Sequence, residues 1–311
     1  MTPKNISIVV PFYNEALGVE SFIERLGVTC SALKSKYNFE VICIDDGSSD
    51  ATLEALIKAK TLHPSICIIE FSRNFGKEAA LTAGLDYANG DALIPMDGDL
   101  QHPPELLPLL LQNWELGFEV VLAQRVNRDT DTFLQKNIAR LFYIINQKIS
   151  QIHIPADVGD FRLMDRKVVE AVKQLRENNR FMKGIFAWVG YRSVTVPYEV
   201  EVRKSGVSSF NASKLWNLAL DGITSFSTVP LKIWAYLGAL VSLAAFLYAL
   251  YIFIRTLAYG VDTPGYASLM VAILFLGGVQ LIGIGVLGEY LGRVYSEVKA
   301  RPTYIIRQII K

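Results

Sequence analysis

The chain has 311 residues, 51% of them hydrophobic and 20% charged, with a formal net charge of +1. That near-neutral balance supplies no basic field for nucleic acid, and a mean hydropathy of +0.29 is high for a wholly soluble protein. The length accommodates about two domains. Cys30, Cys43 and Cys67 are an odd set without paired spacing, which reads as buried reduced thiols rather than a disulfide or zinc framework.

The first residues lead into an apolar run without the apolar core of a signal peptide, so none is expected. Strand-length apolar runs follow at 6–10, 41–44, 66–69, 92–96 and 120–123. Amphipathic, helix-length segments alternate with them at 16–34, 51–59, 77–87, 104–117 and 131–149. This alternation predicts an α/β fold with a mainly parallel sheet and helices on both faces. A run at 194–202 predicts a further strand at a sheet edge.

The fourth apolar run delivers Asp97-Gly98-Asp99 to its carboxyl end, where open α/β sheets bind ligands. Two carboxylates one residue apart suit a hard divalent cation, which binds oxygen ligands and shares them with substrate phosphates. A bare Asp-x-Asp is also common in solvated turns, so the motif gains meaning from its neighbours.

Beyond residue 230 the pattern changes. Residues 233–254 and 263–288 carry no Asp, Glu, Lys or Arg, and each stretch exceeds the roughly 20 residues that cross a bilayer core. Two transmembrane helices joined by a short connector form a hairpin, so both flanks lie on one side. Lys214 and Lys232 precede it, and Arg293, Lys299, Arg301, Arg307 and Lys311 follow it. The positive-inside tendency puts those flanks and the N-terminal domain in the cytoplasm. Gly283-Ile284-Gly285-Val286-Leu287-Gly288 has dinucleotide-loop spacing but lies inside the second span, where small residues serve close helix packing. The resulting division is a catalytic domain over 1–212, an amphipathic juxtamembrane helix over 213–230, transmembrane helices over 231–257 and 264–288, and a cytoplasmic C-terminal helix and tail over 289–311. Residues 213–228 have apolar residues at Leu215, Trp216, Leu218, Ala219 and Ile223. That pattern fits a helix in the membrane interface or one packed on the catalytic domain.

Several polar clusters follow the apolar strands or lie in loops. They are Pro11-Phe12-Tyr13-Asn14-Glu15, Asp45-Asp46-Gly47-Ser48-Ser49-Asp50, Ser72-Arg73-Asn74-Phe75-Gly76-Lys77, Asp97-Gly98-Asp99-Leu100-Gln101, Gly159-Asp160-Phe161-Arg162-Leu163 and Arg203-Lys204-Ser205-Gly206. In this order they resemble the family-2 glycosyltransferases of GT-A fold, in particular the polyprenyl-phosphate glycosyltransferases. Two-span bactoprenol glucosyltransferases are the nearest subgroup, and dolichol-phosphate mannose synthases are similar too. The resemblance implies a GT-A, Rossmann-like sheet and a metal-dependent, inverting transfer of a hexose from a nucleotide-sugar donor to polyprenyl (undecaprenyl) phosphate. The subgroup implies glucose from UDP-glucose, with GDP-mannose or another nucleotide sugar as the alternative donor. The setting implied is a multi-pass protein of the inner membrane with its catalytic domain in the cytoplasm.

Carried onto this sequence, the resemblance puts Asp46 on the donor base and Pro11, Tyr13 and Glu15 around the nucleotide, with Asp97 serving the diphosphate. Asp97, Asp99 and Gln101 would hold Mg2+ or Mn2+. His102 stands where relatives often have Asp before Pro-Pro, as a metal ligand or a helix-entry residue. Asp160, Asp99, Arg125 and Arg162 make the catalytic set. Asp160 either orients the sugar or acceptor or caps the loop before Phe161.

The acceptor changes the chemistry required. A phosphate monoester has a second pKa near 6, so it is largely a dianion at neutral pH and needs no general base. It must instead approach carboxylates, and arginine forks suit its oxygens. Arg125, Arg128, Arg140, Arg162 and Arg203 are candidates, with Lys204 beside them; Arg125 and Arg203 lead because they follow strands. A Gly-Ser-rich loop over 203–210 could close over the donor. The apolar, β-prone tail at 303–310 suggests pairing with another subunit, hence a homo-oligomer, a tetramer being one such arrangement. A polysaccharide synthase, a nucleotide-sugar-binding scaffold without activity and a small transporter are the competing readings. The two uncharged spans offer neither a polymer channel nor the ionisable residues of a transport path.

Overall fold

The computed structural model describes residues 3–126, 158–178, 180–199, 229–259 and 265–311. Four βα units and a fifth strand lead the chain: β1 (Lys4–Phe12), α1 (Ala16–Leu33), β2 (Tyr37–Asp45), α2 (Thr52–Leu62), β3 (Ile66–Phe71), α3 (Lys77–Tyr87), β4 (Ala92–Pro95), a 3-10 turn (Pro104–Leu106) with α4 (Leu107–Glu115), and β5 (Val120–Arg125). There follow β6 (Val158–Asp165), α5 (Arg166–Gln174), α6 (Met182–Trp188), β7 (Ser193–Tyr198), α7 (Val229–Tyr259), α8 (Tyr266–Val298) and β8 (Ile306–Ile310).

All eight strands form one sheet in the order β7-β5-β6-β4-β1-β2-β3-β8. The pairs β1–β2, β1–β4, β2–β3 and β5–β7 are parallel, whereas β6 runs antiparallel to β4 and β5, and β8 antiparallel to β3. The sheet is therefore mixed but mainly parallel, as the alternation predicts.

The central strands feed two cores because successive side chains point to opposite faces. Ile6, Ile8, Val10 and Phe12 of β1 pack with Val19, Phe22 and Leu26 of α1 and with Leu107, Leu110 and Leu111 of α4. On the other face, Val9, Ile42, Ile44 and Ile69 meet α3, α5 and α6 through Ala80, Leu81, Val168, Val172, Met182 and Ile185. Each such fully buried aliphatic or aromatic side chain contributes roughly 1.5–3 kcal/mol. Cys30, Cys43 and Cys67 are free thiols.

Two readings are corrected here. Residues 159–163 belong to β6, not to a loop. Phe161 and Leu163 face the first core and Met164 the second, while the charged residues between them find tertiary partners. The tail does not reserve its strand for another subunit: β8 pairs with β3 of its own chain, Ile69 opposite Ile309 and Glu70 opposite Gln308. A β-prone tail closes whichever exposed edge it reaches, and here that edge is β3, so the tail gives no reason for an oligomer.

At 31 and 33 residues, α7 and α8 are about 46 and 50 Å long, longer than the ~30 Å bilayer core. Both are apolar enough to cross a membrane. Gly283 of α8 faces Trp234 of α7. The segment 131–149, the juxtamembrane residues 213–228 and the loop 203–210 lie outside the described residues.

Candidate active site

The carboxyl ends of the parallel strands open onto one edge of the sheet, and the loops there are stitched together. The Asn14 N–H donates to Ser48 Oγ at 3.1 Å and the Ser49 N–H to Asn14 Oδ1 at 2.8 Å. The Glu15 N–H donates to Thr52 Oγ1 at 2.9 Å. These bonds hold Tyr13 and Glu15 beside Asp46. The Asp46 side chain accepts the N–H groups of Phe75 and Gly76 at 2.7 and 2.9 Å. Burial raises its pKa, and those two N–H groups oppose the shift. Asp46 thus secures the loop that leads into α3.

Asp97-Gly98-Asp99 follows β4. A Cβ on Gly98 would sit 2.3 Å from the Phe12 ring, so only glycine lets the turn lie this close to β1. His102 supports the turn from below. It is 2% exposed and stacked on Phe161, with centroids 4.8 Å apart. Its Nδ1 accepts the Asp97 N–H at 2.9 Å, which fixes a neutral ring with its proton on Nε2. Burial lowers its pKa against the pull of Asp97. With Nδ1 spent on backbone and Nε2 protonated, His102 is a support rather than a metal ligand. Asp99 Oδ1 accepts the Gln101 N–H at 3.0 Å. Gln101 Oε1 lies 3.5 Å from Arg125 Nη2, and Arg125 Nε is 3.4 Å from the Tyr198 hydroxyl.

Because β6 runs antiparallel, its first residues lie beside the last residues of β4 and β5. The β5–β6 register also slips between Leu122 and Gln124, a bulge of the kind that re-aims side chains near active sites. Asp160 sits in it. Lys77, the first residue of α3, reaches across: its Nζ is 2.6 Å from Asp97 Oδ1 and 2.9 Å from Asp160 Oδ2. Burial works against the charge on both carboxylates, but Lys77 and the other groups around them together outweigh it. With Lys183 also acting on Asp160, both acids are held below their ordinary range. The same pair of carboxylates raises the pKa of Lys77 against its own desolvation. Asp160 Oδ1 is shut off from solvent and has no hydrogen-bond partner among the described residues. Next to Lys77, burial pushes the Glu78 carboxyl up to about 8.

A cleft of about 320 Å³ runs over this edge. Pro11, Tyr13, Glu15, Asp46, Lys77, Asp97 and Asp99 line it. The structure therefore brings together the residues expected around the donor and metal, with Gln101 and Arg125 alongside. Arg162 is not among them. It is 4% exposed and donates to the Gly159 carbonyl at 2.6 Å. Its guanidinium lies 4.4 Å from the centre of the Phe186 ring. Burial lowers it to about 10, so it stays charged at neutral pH. Arg128, Arg140, Arg203 and Lys204 lie outside the described residues. Lys77 and Glu78 have no role in the reading from sequence; the available signal was a lysine directly after Gly76 in a loop following a strand.

The oxygen donors fit a hard divalent cation only in part. Among the described residues, no cluster of three or more His, Cys, Asp or Glu could enclose a metal. Asp97 and Asp99 offer the two carboxylates that suffice for an ion completing its shell with diphosphate oxygens and water.

Residues 7–173 match the model for glycosyl transferase family 2, and residues 229–294 match a C-terminal hairpin model described as GtrB C-terminal hairpin. An uncharacterized glycosyltransferase of Synechocystis sp. is 53% identical, covering 98% of this chain and 95% of that protein. An SfII prophage-derived bactoprenol glucosyl transferase of Shigella flexneri is 52% identical over 97% of both chains. Among solved structures, a mannosyltransferase from Pyrobaculum calidifontis in complex with GDP-Man and Mn2+ is similar at a TM-score of 0.49 and 19% identity, covering 95% of this chain and 86% of that one.

Proposed function

The chain belongs to glycosyl transferase family 2, and from that premise we propose that it transfers glucose from UDP-glucose, with inversion, to a polyprenyl phosphate such as undecaprenyl phosphate. The observation that carries the reading is one cleft lined by Asp97, Asp99 and Lys77, with Lys77 bridging Asp97 to Asp160, in a chain that also has two membrane-length helices. Relatives named as bactoprenol glucosyl transferases support the lipid acceptor and the sugar. We place residues 1–212 and 289–311 in the cytoplasm, with the spans at 231–257 and 264–288 and the juxtamembrane helix at 213–230.

The nucleotide lies over Pro11, Tyr13, Glu15 and Asp46. Asp97 and Asp99, with Gln101, would hold Mg2+ or Mn2+, and the ion would supply positive charge to offset that developing on the leaving diphosphate. Asp160, held beside the cleft by Lys77, orients the sugar by accepting a hydrogen bond from one of its hydroxyls. Arg125 stands at the mouth near Gln101 and meets acceptor phosphate, together with Arg128, Arg140, Arg203 and Lys204. An acceptor phosphate oxygen attacks the anomeric carbon opposite the diphosphate. The bond from that carbon to the diphosphate breaks, and its electron pair leaves with the nucleotide. No proton need be removed, since the attacking phosphate is already a dianion.

Purified protein given undecaprenyl phosphate, Mg2+ or Mn2+ and separate nucleotide sugars tests this, with mass spectrometry of the lipid. The expected result is a hexosyl-phosphate lipid from UDP-glucose, lost with chelator and in Asp97→Ala. A product from GDP-mannose alone would correct the donor. No lipid product from any donor would overturn the reading.

A further inference from the structure

We propose that the Lys77 ammonium is the binding seat of the acceptor's phosphate head. The proposal rests on the reading that the acceptor is a lipid phosphate.

The strand order serves as a ruler for the site. Neighbouring strands stand about 4.8 Å apart, and the relevant order is β2, β1, β4, β6. Asp46 follows β2, and Pro11, Tyr13 and Glu15 mark the end of β1. Asp97 and Asp99 follow β4, and Asp160 lies in β6. A donor with its nucleoside over β1 and β2 and its diphosphate at β4 therefore carries its sugar toward β6. In-line displacement brings the nucleophile from the side opposite the diphosphate, which is the β6 side. Lys77 lines the same cleft as the nucleotide-contacting residues and bridges Asp97 and Asp160 across that boundary, which sets its ammonium at the reacting end.

The chemistry of the side chain fits. An ammonium has three N–H donors. Asp97 Oδ1 and Asp160 Oδ2 take two of them, which leaves a third for a phosphate oxygen. The Lys77 side chain is 45% exposed and lines the cleft, so that third donor has access to a ligand. A phosphate dianion arriving here meets Asp97, Asp99 and Asp160, and Lys77 is the cation in contact with two of the three. Its backbone is fixed independently, because Asp46 grips the N–H groups of Phe75 and Gly76 immediately before it. Lys183 acts on Asp160 from α6, and neutral Glu78 adds no charge at pH 7.

Full-length wild type, Lys77→Gln, Lys77→Arg and Lys77→Cys test the idea in detergent micelles with undecaprenyl phosphate and the active nucleotide sugar. Loss of one charge-assisted hydrogen bond should raise the acceptor KM roughly tenfold to a hundredfold in Lys77→Gln, with the donor KM within about threefold of wild type. Aminoethylation of Lys77→Cys regenerates an ammonium at the same place and should restore the acceptor KM. The buried Cys30 and Cys43 are controlled for by treating wild type alike. Native mass spectrometry reads undecaprenyl phosphate occupancy without turnover, and it should fall in Lys77→Gln while nucleotide binding holds. Should the donor KM rise and lipid occupancy stay unchanged, Lys77 serves the diphosphate and the proposal fails. Unchanged acceptor KM in a folded Lys77→Gln protein also overturns it. Failure of wild type to make any lipid product overturns instead the reading on which it rests.

Discussion

The imidazole of His102 meets Asp97 twice: Nδ1 accepts its backbone N–H at 2.9 Å, and Nε2 stands 3.7 Å from its carboxylate. The first contact leaves the ring neutral and the second points its remaining proton at the side chain that is to hold charge. A buried N–H without an acceptor costs about 1–3 kcal/mol. His102→Ala should therefore lose at least that much stability and weaken metal-supported turnover, because the turn carrying Asp97 is no longer pinned. His102→Asn keeps an acceptor near the Nδ1 position and should recover part of both losses. Thermal unfolding and Mg2+ or Mn2+ titration of activity measure the two effects; equal losses in both variants would deny the Nδ1 contact its role.

Glu78 supplies a pH dependence with a definite sign. Desolvation, then the nearby Asp160 charge, raise its folded pKa to about 8, while the unfolded value stays near 4.5. Below pH 4.5 both states are protonated. Between 4.5 and 8 the unfolded state gives up a proton that the folded state keeps, so stability falls as pH rises, by about 1.4 kcal/mol for each unit of pKa separation when complete. Glu78→Gln cannot ionise and can still accept the Met182 N–H that Glu78 takes at 3.3 Å. Across that window the variant should lose less stability than wild type and melt higher at pH 8. Melting curves at a series of pH values decide it, and parallel curves would count against the buried carboxyl.

Much of this site is legible in the chain because period and spacing are local properties. Ile6, Ile8 and Val10 announce β1, and Asp97 and Asp99 announce a pair of carboxylates at the carboxyl end of β4. Lys77 is not legible, since its meaning comes from two carboxylates supplied by β4 and β6, the second after an antiparallel turn of the sheet. β6 reads as a loop because Asp160 and Arg162 interrupt its apolar pattern, and partners distant in sequence, Lys77 for the first and Phe186 for the second, help make them tolerable inside. The tail shows its β propensity but not which edge it will join.

Gly47 tests how strictly the donor edge is built. Its φ is +63°, and a Cβ there would lie 2.3 Å from the Arg73 carbonyl carbon. Backbone cannot swing aside as a side chain can, so Gly47→Ala should displace the loop that Asp46 holds and the start of α3 with it. Gly117 is a fair control: its φ is +93°, with nothing within 4 Å of an added Cβ, so Gly117→Ala pays only left-handed strain of about 1–2 kcal/mol. Nucleotide-sugar affinity should drop tenfold or more in Gly47→Ala (roughly 1.4 kcal/mol or above) and hold in Gly117→Ala. Calorimetric titration gives both numbers, and equal affinities would mean the loop relaxes without consequence.

The C-terminal strand reaches the same loop from the opposite side. Glu70 is 4% exposed, and its carboxylate is met by Arg307 Nη1 and Gln308 Nε2, each at 2.7 Å. Arg307 Nη2 also donates to the Ser72 carbonyl at 3.1 Å, and the Ser72 N–H donates to the Ile305 carbonyl at 2.9 Å. Tyr304 stacks on Phe71 with ring centres 5.2 Å apart, and Phe71 in turn packs against Phe75, one residue before the glycine that opens α3. The segment that follows the two long apolar helices thus braces the loop carrying Phe75, Gly76 and Lys77. Arg307→Ala leaves a buried carboxylate half-satisfied and should cost about 1–3 kcal/mol, with faster amide exchange across 72–77. Glu70→Gln removes the charge that needs Arg307, so the double variant should be less destabilised than the two single losses summed. Exchange mass spectrometry and a double-mutant melting cycle test the coupling; additive losses, or an unchanged exchange rate at 72–77, would show that the tail only closes the sheet edge and does not steady the loop that presents Lys77.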